Sequence, residues 1–117
     1  MITLLTLKDH TADEVFKQGR DHLLTQMERS TADGVVRSCK YLNNNGLKCV
    51  AGCFISDDEY DPIVEGMPWS VLVEEQAVPE VHARLIGAMQ SIHDNDEPIM
   101  WETRMDELEE DMKRGVL

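Results

Sequence analysis

Three cysteines and one histidine of this chain have the residue types of a catalytic or metal-binding cluster. Cys49 and Cys53 are four residues apart, and Cys39 precedes them across an asparagine-rich turn. Thiolates and histidine are common zinc ligands, and a cysteine beside a histidine base is the usual thiol nucleophile. His22 supplies the histidine if its helix packs against this segment. A small cysteine- and histidine-dependent enzyme or a zinc-binding protein is therefore one hypothesis.

The same spacing also fits buried structural thiols. The chain contains no Cys-x-x-Cys pair and no Gly-x-Ser-x-Gly, phosphate-loop or His-Glu-x-x-His motif. Cys53 is followed by Phe54 and Ile55, and apolar surroundings raise the pKa of a thiol and so lower its reactivity. We therefore favour structural thiols with no cofactor. An odd number of cysteines without a recognisable secretory signal predicts a reducing, cytoplasmic setting.

A β-hairpin would position these cysteines. Val35–Leu42 and Leu47–Ala51 are rich in β-branched and apolar residues, and Asn43-Asn44-Asn45-Gly46 lies between them. Asparagine and glycine tolerate the positive φ angles that tight hairpin turns require. The stretch therefore predicts two short antiparallel strands.

Helices are predicted on both sides of the hairpin. Thr11 and Glu14 form a capping box that begins a first helix, which runs to about Met27. Gly19 in its middle suggests a close contact. Later expected features are an apolar strand or strap over residues 1–7, a short helix Ser70–Glu75, a helix from Pro79 to about Asp94, and a last helix with the stripe Trp101, Met105, Leu108 and Met112. We expect an α+β fold: a single, mostly helical domain over residues 1–117, with about three main helices packed around the hairpin.

The charge of the chain is unevenly distributed. The formal net charge is -12. Residues 1–56 carry seven Lys/Arg against six Asp/Glu, whereas residues 57–117 carry four against seventeen. Such a field repels nucleic acid and anionic membranes. No apolar run approaches the roughly 20 residues of a membrane span. We therefore expect no nucleic-acid or membrane binding, and either a basic partner or simple solubility.

Two groups of residues could form a binding surface. The acidic run after the predicted hairpin lacks the Asp-x-Asp-x-Asp-Gly pattern of a calcium loop, but it could face a basic protein. Nearby aromatic rings could stack on a small ligand. The candidate residues are Asp57, Asp58, Glu59 and Asp61 for the partner surface, and Tyr41, Tyr60 and Trp69 for the ligand pocket.

Four segments of the chain resemble a family of small uncharacterised proteins of bacteria and their phages. They are Val15–Gln26, Cys39–Pro62, Glu65–Trp69 and Leu85–Asp94, and the Gly-Leu-Lys-Cys core with the following Asp-x-x-Tyr is their specific part. The resemblance implies a cytosolic setting in a bacterium or an infected host. It supplies no activity and no catalytic residue. The asparagine run occupies what is, in similar sequences, a more basic, glycine-containing turn.

The sequence as a whole favours a non-enzymatic, acidic interaction or sequestering protein of a bacterium or phage. Its partner would be a protein with a basic surface, or a small molecule. The narrow stripe on the last helix could cover the domain's own core or pair with a second copy, so a homodimer is an open alternative.

Overall fold

The computed structural model describes residues 1–32 and 39–117. This part of the chain contains four α-helices: α1, Ala12–Gln26; α2, Trp69–Glu74; α3, Ala83–Asn95; and α4, Trp101–Lys113. Single 3₁₀ turns lie at Leu7–Asp9, Ala51–Phe54, Pro62–Val64 and Pro98–Met100. The helix α3 packs against each of the other three, so it is the centre of the core. No helix among the described residues has the length and apolar character needed to cross a membrane.

The first helix forms as the sequence predicts. The Thr11 hydroxyl accepts from the Glu14 amide at 3.2 Å, and the Thr11 amide donates to the Glu14 carboxylate at 2.9 Å, which completes the capping box. The expected close contact at Gly19 is confirmed, because a Cβ there would lie 2.6 Å from the Met89 sulfur. A glycine is therefore what lets α1 approach α3 so closely.

The predicted hairpin is wrong, and with it the α+β fold class. Across 1–32 and 39–117 the structure has helices and turns but no β-strand. Leu42 and Lys48 form only an isolated antiparallel bridge. Residues 33–38 of the proposed first strand lie outside the described residues.

Two local contacts explain why the strand pairing stops after one bridge. The Asn43 side chain accepts from the amides of Asn45 and Leu47, both at 2.9 Å, so the turn is closed by a side chain. Gly52 lies directly against the backbone of Tyr41, since a Cβ on it would be 2.1 Å from the Tyr41 carbonyl oxygen. The 3₁₀ turn that contains Gly52 therefore packs closely against residue 41, and this part of the chain does not extend as a strand.

The N-terminal segment follows one of its two predicted alternatives, and the start of α3 differs from the prediction. Residues 1–7 form the strap and not the strand, with Ile2 and Leu7 buried in the core. The third helix begins at Ala83 and not at Pro79, because His82 adopts a left-handed conformation with φ of 62°. A helix cannot continue through such a residue.

The last helix confirms the apolar stripe and shows what the stripe contacts. Trp101, Met105 and Leu108 are buried in the core of the chain itself, and Met112 packs at its edge. The surface that a second copy would use as a helix seam is therefore already covered.

Candidate ligand-binding cleft

An open cleft of about 1320 Å³ is bounded by α3, by the segment that enters α2 and by residues 39–41. Its volume exceeds the roughly 300–1,000 Å³ of typical small-molecule pockets, so one ligand would fill part of it. The residues that matter for the chemistry below are Cys39, Lys40, Tyr41, Trp69, Gly87 and Asp94.

Two of the three predicted aromatic residues line this cleft. The rings of Tyr41 and Trp69 lie 6.3 Å apart at an angle of 55°. The Tyr41 hydroxyl donates to the Met67 carbonyl at 2.5 Å. Both side chains are buried, so they do not present open stacking faces to the cleft. The buried Trp69 indole N–H has no hydrogen-bond partner among the described residues.

The third aromatic residue, Tyr60, supports the cleft from outside it. Its hydroxyl donates to Glu65 at 2.7 Å, and burial together with this bond raises the pKa of Tyr60 to about 12. The same carboxylate accepts from the Tyr41 amide at 2.9 Å and from the Leu42 amide at 3.1 Å. Glu65 therefore fixes the backbone of the cleft wall.

The predicted acidic residues lie outside the cleft and differ from one another. Asp57 is 91% exposed and lies 3.6 Å from the Lys48 ammonium group. Asp58 is exposed. Asp61 caps the next 3₁₀ turn by accepting from the Ile63 amide at 3.0 Å. These three carboxylates remain available to solvent.

Glu59 is a structural anchor. Its carboxylate accepts from the amides of Leu4, Leu5 and Ser56 at 3.2, 3.0 and 3.0 Å. Burial acts to raise the pKa of Glu59, but the hydrogen bonds together lower it. Glu59 therefore holds the N-terminal strap, residues 1–7, against the acidic segment, residues 57–65. Its carboxylate is not available to bind a partner.

The cysteines and the histidine of the zinc or enzyme hypothesis do not converge. Among the described residues, no three of Cys39, Cys49, Cys53 and His22 place ligand atoms together. Burial raises the pKa of the Cys49 thiol, and it raises that of Cys53 to about 12. His22 donates through Nε2 to the Lys48 carbonyl at 2.8 Å, and burial lowers its pKa.

A different cluster forms where Cys39 meets the end of α3. Nδ1 of His93 donates to the Asp94 carboxylate at 2.8 Å, and Gln90 donates to the same oxygen at 2.8 Å. The Cys39 thiol also hydrogen-bonds to Asp94; burial, with this bond, raises the pKa of Cys39 to about 12. On its other side the imidazole accepts from the Ser30 amide at 3.0 Å, which fixes its proton on Nδ1.

The relative positions of the thiol, the carboxylate and the imidazole determine whether they can act in nucleophilic catalysis. A nucleophilic thiol needs a base that removes its proton, with the carboxylate behind that base. Here Asp94 lies between Cys39 and His93, so the thiol is kept neutral and the imidazole has no free acceptor atom. The His-Asp pair was visible in the sequence, but its proximity to Cys39 depends on the packing of distant segments.

Charged side chains on the rim of the cleft lack partners. Lys40 and Arg84 form no ion pair with any residue in the described ranges, although most other lysines and arginines there do. Glu74 and Glu80 on the rim are likewise without an ion-pair partner within 1–32 and 39–117. The rim therefore presents free charges of both signs.

Gly87 leaves space in the floor of the cleft. It lies inside α3, and a Cβ built on it would meet no atom within 4 Å. Glycine in a helix interior costs about 1 kcal/mol relative to alanine. No packing contact explains this glycine, in contrast to Gly19.

Comparisons with known proteins add no relative. No family model matches the chain, and no curated protein or solved structure matches it. The functional argument therefore depends on the geometry of the cleft.

Proposed function

We propose that the protein is a non-enzymatic binding protein that sequesters a small molecule in the cleft. The observation that carries this proposal is Gly87, a helix-interior glycine on the cleft floor with empty space over it. A side chain would fit there and would stabilise α3. Retaining glycine keeps the floor open, which is useful if a ligand occupies it.

The walls of the cleft indicate the kind of ligand. Met67, Pro68, Trp69 and Val73 supply apolar surface, while Lys40 and Arg84 supply positive charge without an acidic partner among the described residues. Polar and charged side chains make up the rest of the lining, so a bound molecule would need polar groups as well as an apolar face. Glu74 and Glu80 on the same rim also lack an ion-pair partner among the described residues. The ligand class is therefore a small amphipathic molecule with a charged group, which would pair with Lys40 or Arg84 if it is anionic and with Glu74 or Glu80 if it is cationic.

Binding without catalysis is supported by the cluster that borders the cleft. Its thiol has a raised pKa and its imidazole is engaged at both nitrogens. Neither group is prepared for proton transfer or nucleophilic attack.

Substitution at Gly87 tests the proposal. The probe is a library of aromatic carboxylates, phosphates and amines, screened by ligand-observed NMR against the native chain, Gly87→Ala and Gly87→Leu. We expect binders of the native chain to bind Gly87→Ala within about threefold and to lose at least ~10-fold in affinity for Gly87→Leu, which fills the floor. Thermal unfolding of both variants checks that they fold. If neither substitution at Gly87 changes the affinity of any compound, the cleft is not the binding site.

A protein partner with a basic surface is the second candidate. It is favoured by Asp57, Asp58 and Asp61, whose carboxylates are exposed and lie away from the cleft. Replacing all three with asparagine would weaken such a partner and leave the cleft compounds bound as before. If the replacement instead weakened binding of the compounds, they would bind these three aspartates and not the cleft.

A further inference from the structure

We infer that Cys39, His93 and Asp94 form a binding site for a divalent transition-metal ion of the zinc type, bordering the cleft. This goes beyond the sequestering function, because it requires no small molecule. It also replaces the cysteine and histidine set that the sequence suggested, of which only Cys39 is retained.

The geometry brings three suitable donors together. One sulfur, one imidazole nitrogen and one carboxylate oxygen lie within 4.8 Å of one another. Zinc bonds of about 2.0–2.3 Å to such atoms require tetrahedral ligands to be separated by roughly 3.3–3.7 Å. Nδ1 of His93 and the Asp94 oxygen are now 2.8 Å apart, so they must separate by roughly 0.5 Å to reach this range. The Cys39 sulfur, which lies within 4.8 Å of both atoms, must adjust as well. Cys39 and Asp94 border the cleft, which gives the ion an entry path and leaves a fourth position for water or a ligand.

The two ligands on α3 have supporting contacts from neighbouring side chains. His93 and Asp94 are adjacent on the last turn of α3, and the His93 ring stacks on Trp101 at 5.7 Å. Gln90 holds the Asp94 carboxylate by the 2.8 Å hydrogen bond from its side-chain amide. Supporting contacts of this kind orient metal ligands and maintain their affinity.

Metal binding must displace the protons that now lie between these ligands. The Cys39 thiol and the Nδ1–H of His93 both donate to Asp94. On binding, the thiol proton leaves to solvent and sulfur bonds to the ion. The Nδ1 proton is replaced by the ion, and a proton moves onto Nε2, so that the Ser30 amide must release its 3.0 Å bond. One proton is therefore released per ion.

Cobalt(II) is the probe, because thiolate ligation gives it a strong near-ultraviolet charge-transfer absorption. The native chain is titrated with Co²⁺ and then with Zn²⁺, and the same is done for Cys39→Ser and Asp94→Asn. Cys53→Ser is the matched thiol control, since Cys53 is buried away from the cleft lining. Gly87→Leu is the second control, because residue 87 lies about two helical turns, roughly 10 Å, from Asp94.

The expected result is one Co²⁺ per chain, displaced by Zn²⁺, with one proton released. The charge-transfer band should disappear in Cys39→Ser, Asp94→Asn should weaken binding at least ~10-fold, and both controls should bind as the native chain does. Absence of the band in the native chain, or its persistence in Cys39→Ser, would overturn the proposal. Because Gly87→Leu separates the two sites, loss of small-molecule binding and loss of metal binding are distinguishable failures. If Asp94→Asn does not fold, Cys39→Ser alone decides.

Discussion

The acidic segment, residues 57–65, and the cleft use charged side chains in opposite ways. In the acidic segment, Glu59 and Glu65 point their carboxylates at backbone amides and hold other parts of the chain. On the cleft rim, Lys40 and Arg84 have no acidic partner among the described residues. The acidic segment therefore combines anchoring carboxylates with exposed ones, whereas the cleft rim has side chains of both signs without an ion-pair partner among the described residues.

The two regions are also connected. Glu65 belongs to the acidic segment, yet it binds the amide of Tyr41 in the cleft wall. Gly52 packs against the carbonyl of the same residue. The acidic segment therefore supports the cleft, and each region can be perturbed through the other.

The largest expected effect comes from Gly52→Ala, which attacks the cleft wall directly. The new Cβ would lie 2.1 Å from the Tyr41 carbonyl oxygen, a backbone atom that cannot rotate away. We expect a loss of about 3 kcal/mol in the free energy of unfolding, measured by urea denaturation. Gly87→Ala is the control, and it should gain up to ~1 kcal/mol. Equal stability of the Gly52→Ala variant and the native chain would show that the wall is not closely packed.

Glu65→Gln is expected to have the next largest effect. Its side-chain amide would keep one acceptor oxygen and turn an N–H₂ donor toward the amide of Tyr41 or of Leu42. We expect a loss of about 1–3 kcal/mol in the free energy of unfolding. Asp58→Asn, in the same segment but exposed, should change stability by less than ~0.5 kcal/mol. If both variants lose the same amount, the distinction between anchoring and free carboxylates fails.

The sequence predicted the helices better than the segment between α1 and α2. Thr11 and Glu14 mark the start of α1 through a local capping contact, and the stripe from Trp101 to Leu108 marks α4 through its periodicity. Local patterns suffice for such elements. The asparagine turn is also a local pattern. The predicted strands around it do not form, because Gly52 approaches Tyr41 closely, and this tertiary contact cannot be seen in a local pattern.

The candidate site was predictable only in part, for the same reason. Tyr41, Trp69 and Cys39 were chosen from the sequence and do border the cleft. The role of Asp94 was not visible, because it requires α3 to lie beside residue 39. Gly87 was missed because a glycine within a helical pattern does not show whether its Cβ position is filled or empty.

The smallest expected effect is the pH dependence due to Glu59, and it tests whether that carboxylate is an anchor. Its pKa is lower in the folded chain than in the unfolded one, where glutamate titrates at about 4.3. Its contribution is therefore complete above the unfolded pKa and is lost as pH falls through the folded pKa. We expect Glu59→Gln to cost about 1 kcal/mol at pH 7, and the difference from the native chain to shrink below pH 4. Urea denaturation of both chains from pH 7 to 3 measures this. A difference that stays constant with pH would mean that the charge of Glu59 does not hold the N-terminal strap.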